Sequence, residues 1–242
     1  MSENIVINDT PVYVSKPDGE IKGGLIIIHE IWGLNDHTRD VADRYAKQGY
    51  LVYAPDVLSD TRFKQEAAKL QQDMFNPEKR EETMKKMREV MAPVQAPEFA
   101  LKTGESLKRV FDHLYNREET KQKVAVLGFC FGGTYSFGLA VAEPRLIAAV
   151  PYYGHADQPV GELKNIQARI LAFYGEKDEA LVSKLPDLEN RMHEAGVDFS
   201  YKVYPNCAHA FFNDTNPFTY NEEAAKDSWN STQEFLESVF AS

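Results

Sequence analysis

The chain has 242 residues, enough for one well-buried core, and at 43% hydrophobic and 26% charged residues it reads as a globular protein, which excludes a disordered or low-complexity chain. A formal net charge of -10 argues against nucleic acid or an anionic membrane as partner. There are only two cysteines, Cys130 and Cys207, no C-x-x-C or H-E-x-x-H spacing and no apolar run long enough to span a bilayer, so the sequence implies neither a metal, another cofactor nor membrane insertion.

The opening Met1-Ser2-Glu3-Asn4 lacks a basic segment followed by an apolar run, so the expectation is a cytoplasmic protein with reduced thiols. Residues 5–14 read as a strand pair around the Asn8-Asp9 turn signal. Gly24 to His29 is a continuous apolar run of the kind a strand buried on both faces carries. Glu30 to Asn35 follows as a loop, Thr38 to Gln48 as a helix closed by Gly49, and Tyr50 to Ala54 as a strand stopped by Pro55-Asp56. Arg62 to Met91 is charged and helical with an interruption near Asn76-Pro77, and at about 62–92 it is expected to form a small helical cap. Pro97 to Tyr115 is the next helix, with Leu101, Leu107, Val110, Phe111 and Leu114 predicted to share one face.

Lys123 to Phe129 is an apolar, β-branched strand that ends in Gly128-Phe129-Cys130-Phe131-Gly132, and the small apolar stretch after it has helical spacing. This is a strand, a sharp turn and a helix, with the cysteine at the tip and glycine two residues away on each side, where no larger residue fits. Strands then follow at Leu146 to Tyr153, Arg169 to Tyr174 and Val197 to Tyr204, with helices at Leu185 to Ala195 and Glu222 to Phe240. Strands alternating with helices predict a single α/β domain over 1–242, its mostly parallel central sheet flanked by helices on both faces. Ligands in such a fold sit beyond the C-terminal ends of the strands.

Three groups that can do chemistry fall just there. Asp178 lies in the loop after the strand ending at Tyr174, and His209 in the loop after the strand ending at Tyr204. Either one alone reads as a cap or a structural hydrogen-bonding residue, but Cys130, Asp178 and His209 occur in the order nucleophile, acid, base. A free cysteine titrates near pH ~8.5 and needs an imidazole within reach to be thiolate at neutral pH. The expected role of Asp178 is to fix the tautomer of His209. Main-chain N–H groups of Phe131, next to the nucleophile, and of Ile31 are the predicted oxyanion donors.

The combination of His29-Glu30-Ile31-Trp32-Gly33-Leu34-Asn35, the cysteine elbow, Tyr152-Tyr153-Gly154, Gly175-x-x-Asp178 and Ala208-His209-Ala210-Phe211 resembles the dienelactone hydrolase (carboxymethylenebutenolidase) family of α/β-hydrolases, over nearly the whole chain. The resemblance implies an α/β-hydrolase fold and cleavage of a small ester or lactone through a thioester acyl-enzyme, with no cofactor. It also gives Glu30 a role: this carboxylate holds the resting thiol away from the histidine until substrate arrives. Family members that bind carboxylated lactones use two arginines. Arg80 matches the first, while the second position, four residues after His209, is Asn213. Trp32, Tyr152 and Phe212 are expected to form an apolar pocket wall, and Cys207 to be a buried small residue. A monomer or homodimer is expected. Acyl transfer on the same triad, a ligand-binding protein without catalysis and a redox-sensing thiol are the rival readings.

Overall fold

The computed structural model describes residues 1–59, 62–74, 76 and 78–242. The chain opens with the antiparallel pair β1 (Ser2–Ile7) and β2 (Thr10–Ser15), followed by β3 (Gly23–Ile28), α1 (Asp36–Lys47) and β4 (Tyr50–Pro55). Helices α2 (Arg62–Met74), α3 (Arg80–Met91) and α4 (Pro97–Tyr115) come next, then β5 (Val124–Phe129), α5 (Phe131–Ala142) and β6 (Ala148–Tyr152). The last third holds α6 (Val160–Leu163), β7 (Arg169–Gly175), α7 (Glu179–Val182), α8 (Leu185–Ala195), β8 (Phe199–Tyr204) and α9 (Glu222–Phe240).

The eight strands form one sheet in the order β1-β2-β4-β3-β5-β6-β7-β8, parallel from β4 to β8 and antiparallel at the β1 and β2 edge. Because side chains alternate across a strand, Ile26, Ile28, Val124 and Val126 pack into one core with α4, α5 and α8, while Leu25, Ile27, Ala125 and Leu127 pack into the other with α1 and α9. This is why the central strands read as unbroken apolar runs. A third cluster joins Ile31 and Leu58 to Phe63 and Ala67 of α2 and Met87 of α3, with Trp32 and Phe131 packed against it.

Local signals explain the helix ends. Asn35 caps α1 by accepting the N–H of Thr38, and Asn221 caps α9 by accepting that of Ala224. One predicted core face needs correction: Leu101 is 70% exposed, because at roughly 100° per residue it stands about 130° round α4 from the middle of the face that Leu107, Val110, Phe111 and Leu114 share.

The strand order decides where a site can form. After β3 the chain steps outward to β4, and later returns to place β5 on the opposite side of β3, so the ends of β3 and β5 flank the point at which the order reverses. Register pairs Ile28 with Gly128 and brings the loop after β3 beside the elbow after β5.

Candidate active site

Cys130 sits between β5 and α5 with φ 56° and ψ -113°, a left-handed conformation that a side chain rarely adopts. Its N–H donates to the carbonyl of Tyr152 at 3.0 Å and its own carbonyl accepts the N–H of Thr134 at 3.0 Å, so both arms of the turn are pinned. The flanking glycines are a steric requirement. A Cβ on Gly132 would stand 2.1 Å from the Ile28 carbonyl oxygen, and one on Gly128 would stand 2.1 Å from that of Gly132. The tight approach between helix and strands lifts the thiol above the strand ends.

His209 reaches this point from the loop after β8. Its Nδ1 hydrogen-bonds Asp178 Oδ2, and since a carboxylate only accepts, Nδ1 carries the proton and leaves Nε2 free. The Cys130 side chain is among the groups close enough to act on the imidazole. Loss of solvation works against the imidazolium, but the electrostatic effect of Cys130 and the hydrogen bond and charge of Asp178 outweigh it and hold His209 well above its ordinary value. The imidazole lies against the ring of Tyr153, centroids 5.0 Å apart, and Tyr153 is itself a positive-φ residue just past β6.

Glu30 comes from the loop after β3 and is 5% exposed. Its carbonyl accepts from His29 Nδ1 at 2.6 Å and from the Gly33 N–H at 3.1 Å, which fixes the turn. Burial pushes the Glu30 carboxyl above the ordinary range, against the pull of His37, the Asn213 amide and His209. Asn213 Nδ2 donates to Glu30 Oε2 at 2.7 Å, while Asn213 Oδ1 accepts from the Thr215 N–H at 3.0 Å and hydroxyl at 2.7 Å. Those two Thr215 donors settle which end of the amide faces the carboxylate.

Ile31 follows Glu30, and Phe131 is the first residue of α5, where the N–H groups have no intrahelical acceptor and the helix dipole favours negative charge. The Phe131 ring stacks on that of His29, centroids 5.9 Å apart and planes within 4°. Trp32 is half-buried beside the cluster that includes α2 and α3. Arg80 opens α3, and its side chain lies outside the described residues.

Three predicted substrate contacts are placed elsewhere. Tyr152 is fully buried, and its hydroxyl is bonded to Thr232 Oγ1 at 2.8 Å and the Ser228 carbonyl at 3.1 Å, so it ties the sheet to α9 rather than lining a pocket. Phe212 is 3% exposed and stacked on Phe129 at 5.1 Å, because the strand-end aromatics form a continuous core under the site. Asn213 is 3% exposed and spends its amide on Glu30. Tyr153, His37 and Asp214 are the site neighbours the sequence did not single out. Tyr153 lay in a quoted motif next to Tyr152, but which of the two meets His209 depends on the turn that ends β6.

A groove of about 370 Å³ is lined by Phe212, Asp214, Arg44, Lys47, Lys226 and Trp229. No group of metal-ligating side chains occurs among the described residues, and no helix among them is long and apolar enough to cross a membrane.

A mostly parallel sheet covered on both faces, with its reactive loops gathered at the strand ends, defines an α/β-hydrolase. The structural neighbours carry the same fold: a dienelactone hydrolase from Anabaena variabilis superposes with a TM-score of 0.68 at 15% identity, covering 99% of this chain and 97% of its own, and a dienelactone hydrolase-like phosphotriesterase from metagenomic libraries with 0.76 at 20%, covering 99% and 98%. In sequence, a relative from Saccharolobus solfataricus named carboxymethylenebutenolidase is 32% identical, with 90% of each chain covered. Protein usf of Aquifex pyrophilus is 33% identical over 88% of this chain and 87% of its own. The profile of the dienelactone hydrolase family matches residues 10–240, and the chain belongs to that family. It is a carboxylic ester hydrolase, and the family's substrates are esters and lactones.

Proposed function

We propose that the protein cleaves a small ester or lactone through a thioester on Cys130, with His209 as proton carrier, Asp178 as its orienting carboxylate and Glu30 in control of the thiol. The observation that carries this reading is the meeting of a strained, pinned cysteine with an imidazole that a carboxylate already orients. In the resting enzyme Glu30 accepts the thiol hydrogen bond and keeps sulfur away from the imidazole; substrate binding releases it. The thiol proton passes to His209 Nε2 and sulfur attacks the carbonyl carbon. The oxyanion is received by the Ile31 and Phe131 N–H groups, each of which contributes on the order of a hundredfold or more in rate. Collapse breaks the bond to the alcohol oxygen, which leaves with the proton from His209. A water then gives its proton to His209 and attacks the thioester, the acid departs, and sulfur regains its proton.

On this reading α2 and α3 act as a cap, Trp32 forms part of the apolar wall, and Arg80 meets a carboxylate on the substrate. The decisive assay is hydrolysis of p-nitrophenyl acetate by the wild type and Cys130→Ala, with intact-protein mass spectrometry to trap the acyl-enzyme. Equal rates in both proteins would refute the mechanism. A panel of lactones with and without a carboxylate, run on Arg80→Ala, tests the cap contact: a loss confined to the carboxylated set supports it, and an equal loss on both sets removes Arg80 from the site.

A further inference from the structure

His29, directly before Glu30, takes no part in the proposed reaction, yet its imidazole is wholly buried beside the site. Its Nδ1 stands 2.6 Å from the Glu30 carbonyl oxygen. A carbonyl oxygen only accepts, so at that distance Nδ1 carries the proton. The Gly33 N–H donates to the same oxygen at 3.1 Å. That oxygen and the Ile31 N–H belong to one peptide unit. In a trans peptide the two point in opposite directions within one rigid plane, so a bond that fixes the carbonyl also aims the N–H. Donors on the carbonyl also draw electron density from the peptide nitrogen, which makes its N–H the stronger donor.

The same ring reaches the second predicted donor. It lies parallel to the Phe131 ring, with planes within 4° and centroids 5.9 Å apart. The backbones are in contact here too: a Cβ on Gly132, the next residue of α5, would stand 2.7 Å from the His29 carbonyl oxygen. His29 therefore touches both predicted donors, the Glu30–Ile31 peptide through a hydrogen bond and Phe131 through its ring. The other ring nitrogen, Nε2, stands 3.8 Å from Asp56 Oδ1, and the Asp56 carboxylate accepts from Lys64 of α2. Burial pushes the His29 imidazole below its ordinary value, against the pull of the Glu30 carbonyl and of Asp56, so it serves as a fixed donor and not as a proton carrier.

We propose that His29 is a positioning residue for the oxyanion hole: its Nδ1–H holds the Glu30–Ile31 peptide so that the Ile31 N–H stays aimed at the oxyanion, and its ring sets Phe131 beside that peptide. His29 does not touch substrate and exchanges no proton; it acts through the main chain of its two neighbours. This rests on the proposed acylation of Cys130, because only a tetrahedral intermediate calls on the Ile31 and Phe131 N–H groups. It adds what keeps the two donors in place before the charge develops, which is the condition for such donors to stabilise it without reorganising.

The test compares two reactions of the same sulfur in the full chain. Acylation of Cys130 by p-nitrophenyl acetate passes through a tetrahedral oxyanion, whereas alkylation by iodoacetamide displaces iodide from a saturated carbon and forms none. His29→Leu and His29→Asn have nearly the same shape, and only Asn keeps an N–H donor for the Glu30 carbonyl. Followed by intact-protein mass spectrometry, His29→Leu should slow acylation about tenfold or more while alkylation stays within about twofold of wild type, and His29→Asn should recover most of the loss. An Asn variant as slow as the Leu variant overturns the proposal, and so does a Leu variant in which both reactions slow together or neither slows. Nitrogen NMR of the wild type gives a reading that does not depend on whether the variants fold: His29 must carry a proton on Nδ1, and a ring protonated on Nε2 alone overturns the proposal. If wild-type Cys130 is alkylated but never acylated, the thioester reading falls and takes this one with it. If the wild type is acylated and His29→Leu matches its rate, the thioester reading stands and only the role of His29 falls.

Discussion

Asn213→Asp is the sharpest perturbation the site offers, because it changes one donor into an acceptor without changing shape. The new carboxylate keeps the oxygen that accepts both Thr215 donors and puts its second oxygen where Nδ2 stood, 2.7 Å from Glu30 Oε2. Two ionised carboxylates at that distance repel by about 6 kcal/mol at an effective dielectric of 20. The folded protein avoids that repulsion by binding one proton on the pair, so the cost becomes that of proton uptake. A folded-state value raised above the unfolded one means that stability is kept below the unfolded value, near pH ~4, and lost as pH rises through the folded one. The loss accrues at about 1.4 kcal/mol per pH unit for one extra proton. Urea denaturation should therefore find the variant about 1 kcal/mol less stable than wild type at pH 5 and about 5 kcal/mol less stable at pH 8. A gap that stays constant between those pH values would refute the reasoning, since it would mean that Glu30 already carries a proton in the wild type and simply donates it to the new aspartate.

Gly132→Ala drives a Cβ to 2.1 Å from the Ile28 carbonyl oxygen, a backbone atom that cannot yield cheaply; thermal melts should record a loss of about 1–3 kcal/mol and esterase assays a collapse of activity. Tyr152→Phe removes the hydroxyl bonded to Thr232 and Ser228 and should cost about 1 kcal/mol of stability with KM unchanged, whereas a raised KM would return this ring to the pocket. Asp178→Asn withdraws one of the groups that raise His209, so the limb of the pH–rate profile that reports the imidazole should move to lower pH, and kcat should fall by about three to four orders of magnitude.

The elements that local pattern controls were open to reading. The helices at Pro97–Tyr115, Leu185–Ala195 and Glu222–Phe240 begin and end as predicted, because capping residues, glycine and periodicity act within a few positions. The elbow is equally local: Gly128 and Gly132 are required by contacts the turn makes with itself and with the adjacent strand. Cys130, Asp178 and His209 were legible because each lies at or within a few residues of the end of a strand, and in a parallel sheet all strand ends of that kind lie on one side.

What failed depended on the direction a side chain takes once the chain is packed. Tyr152, Phe212 and Asn213 have the address of pocket residues and serve the core or Glu30. The sequence by itself determined the fold class, the order of the reactive groups and the glycines the elbow needs. Only the tertiary structure decided that His37 and Asp214, 177 residues apart, meet behind Glu30. No local signal encodes that meeting, since Asp214 reaches His37 and Arg44 of α1 from the loop after β8, at the other end of the chain.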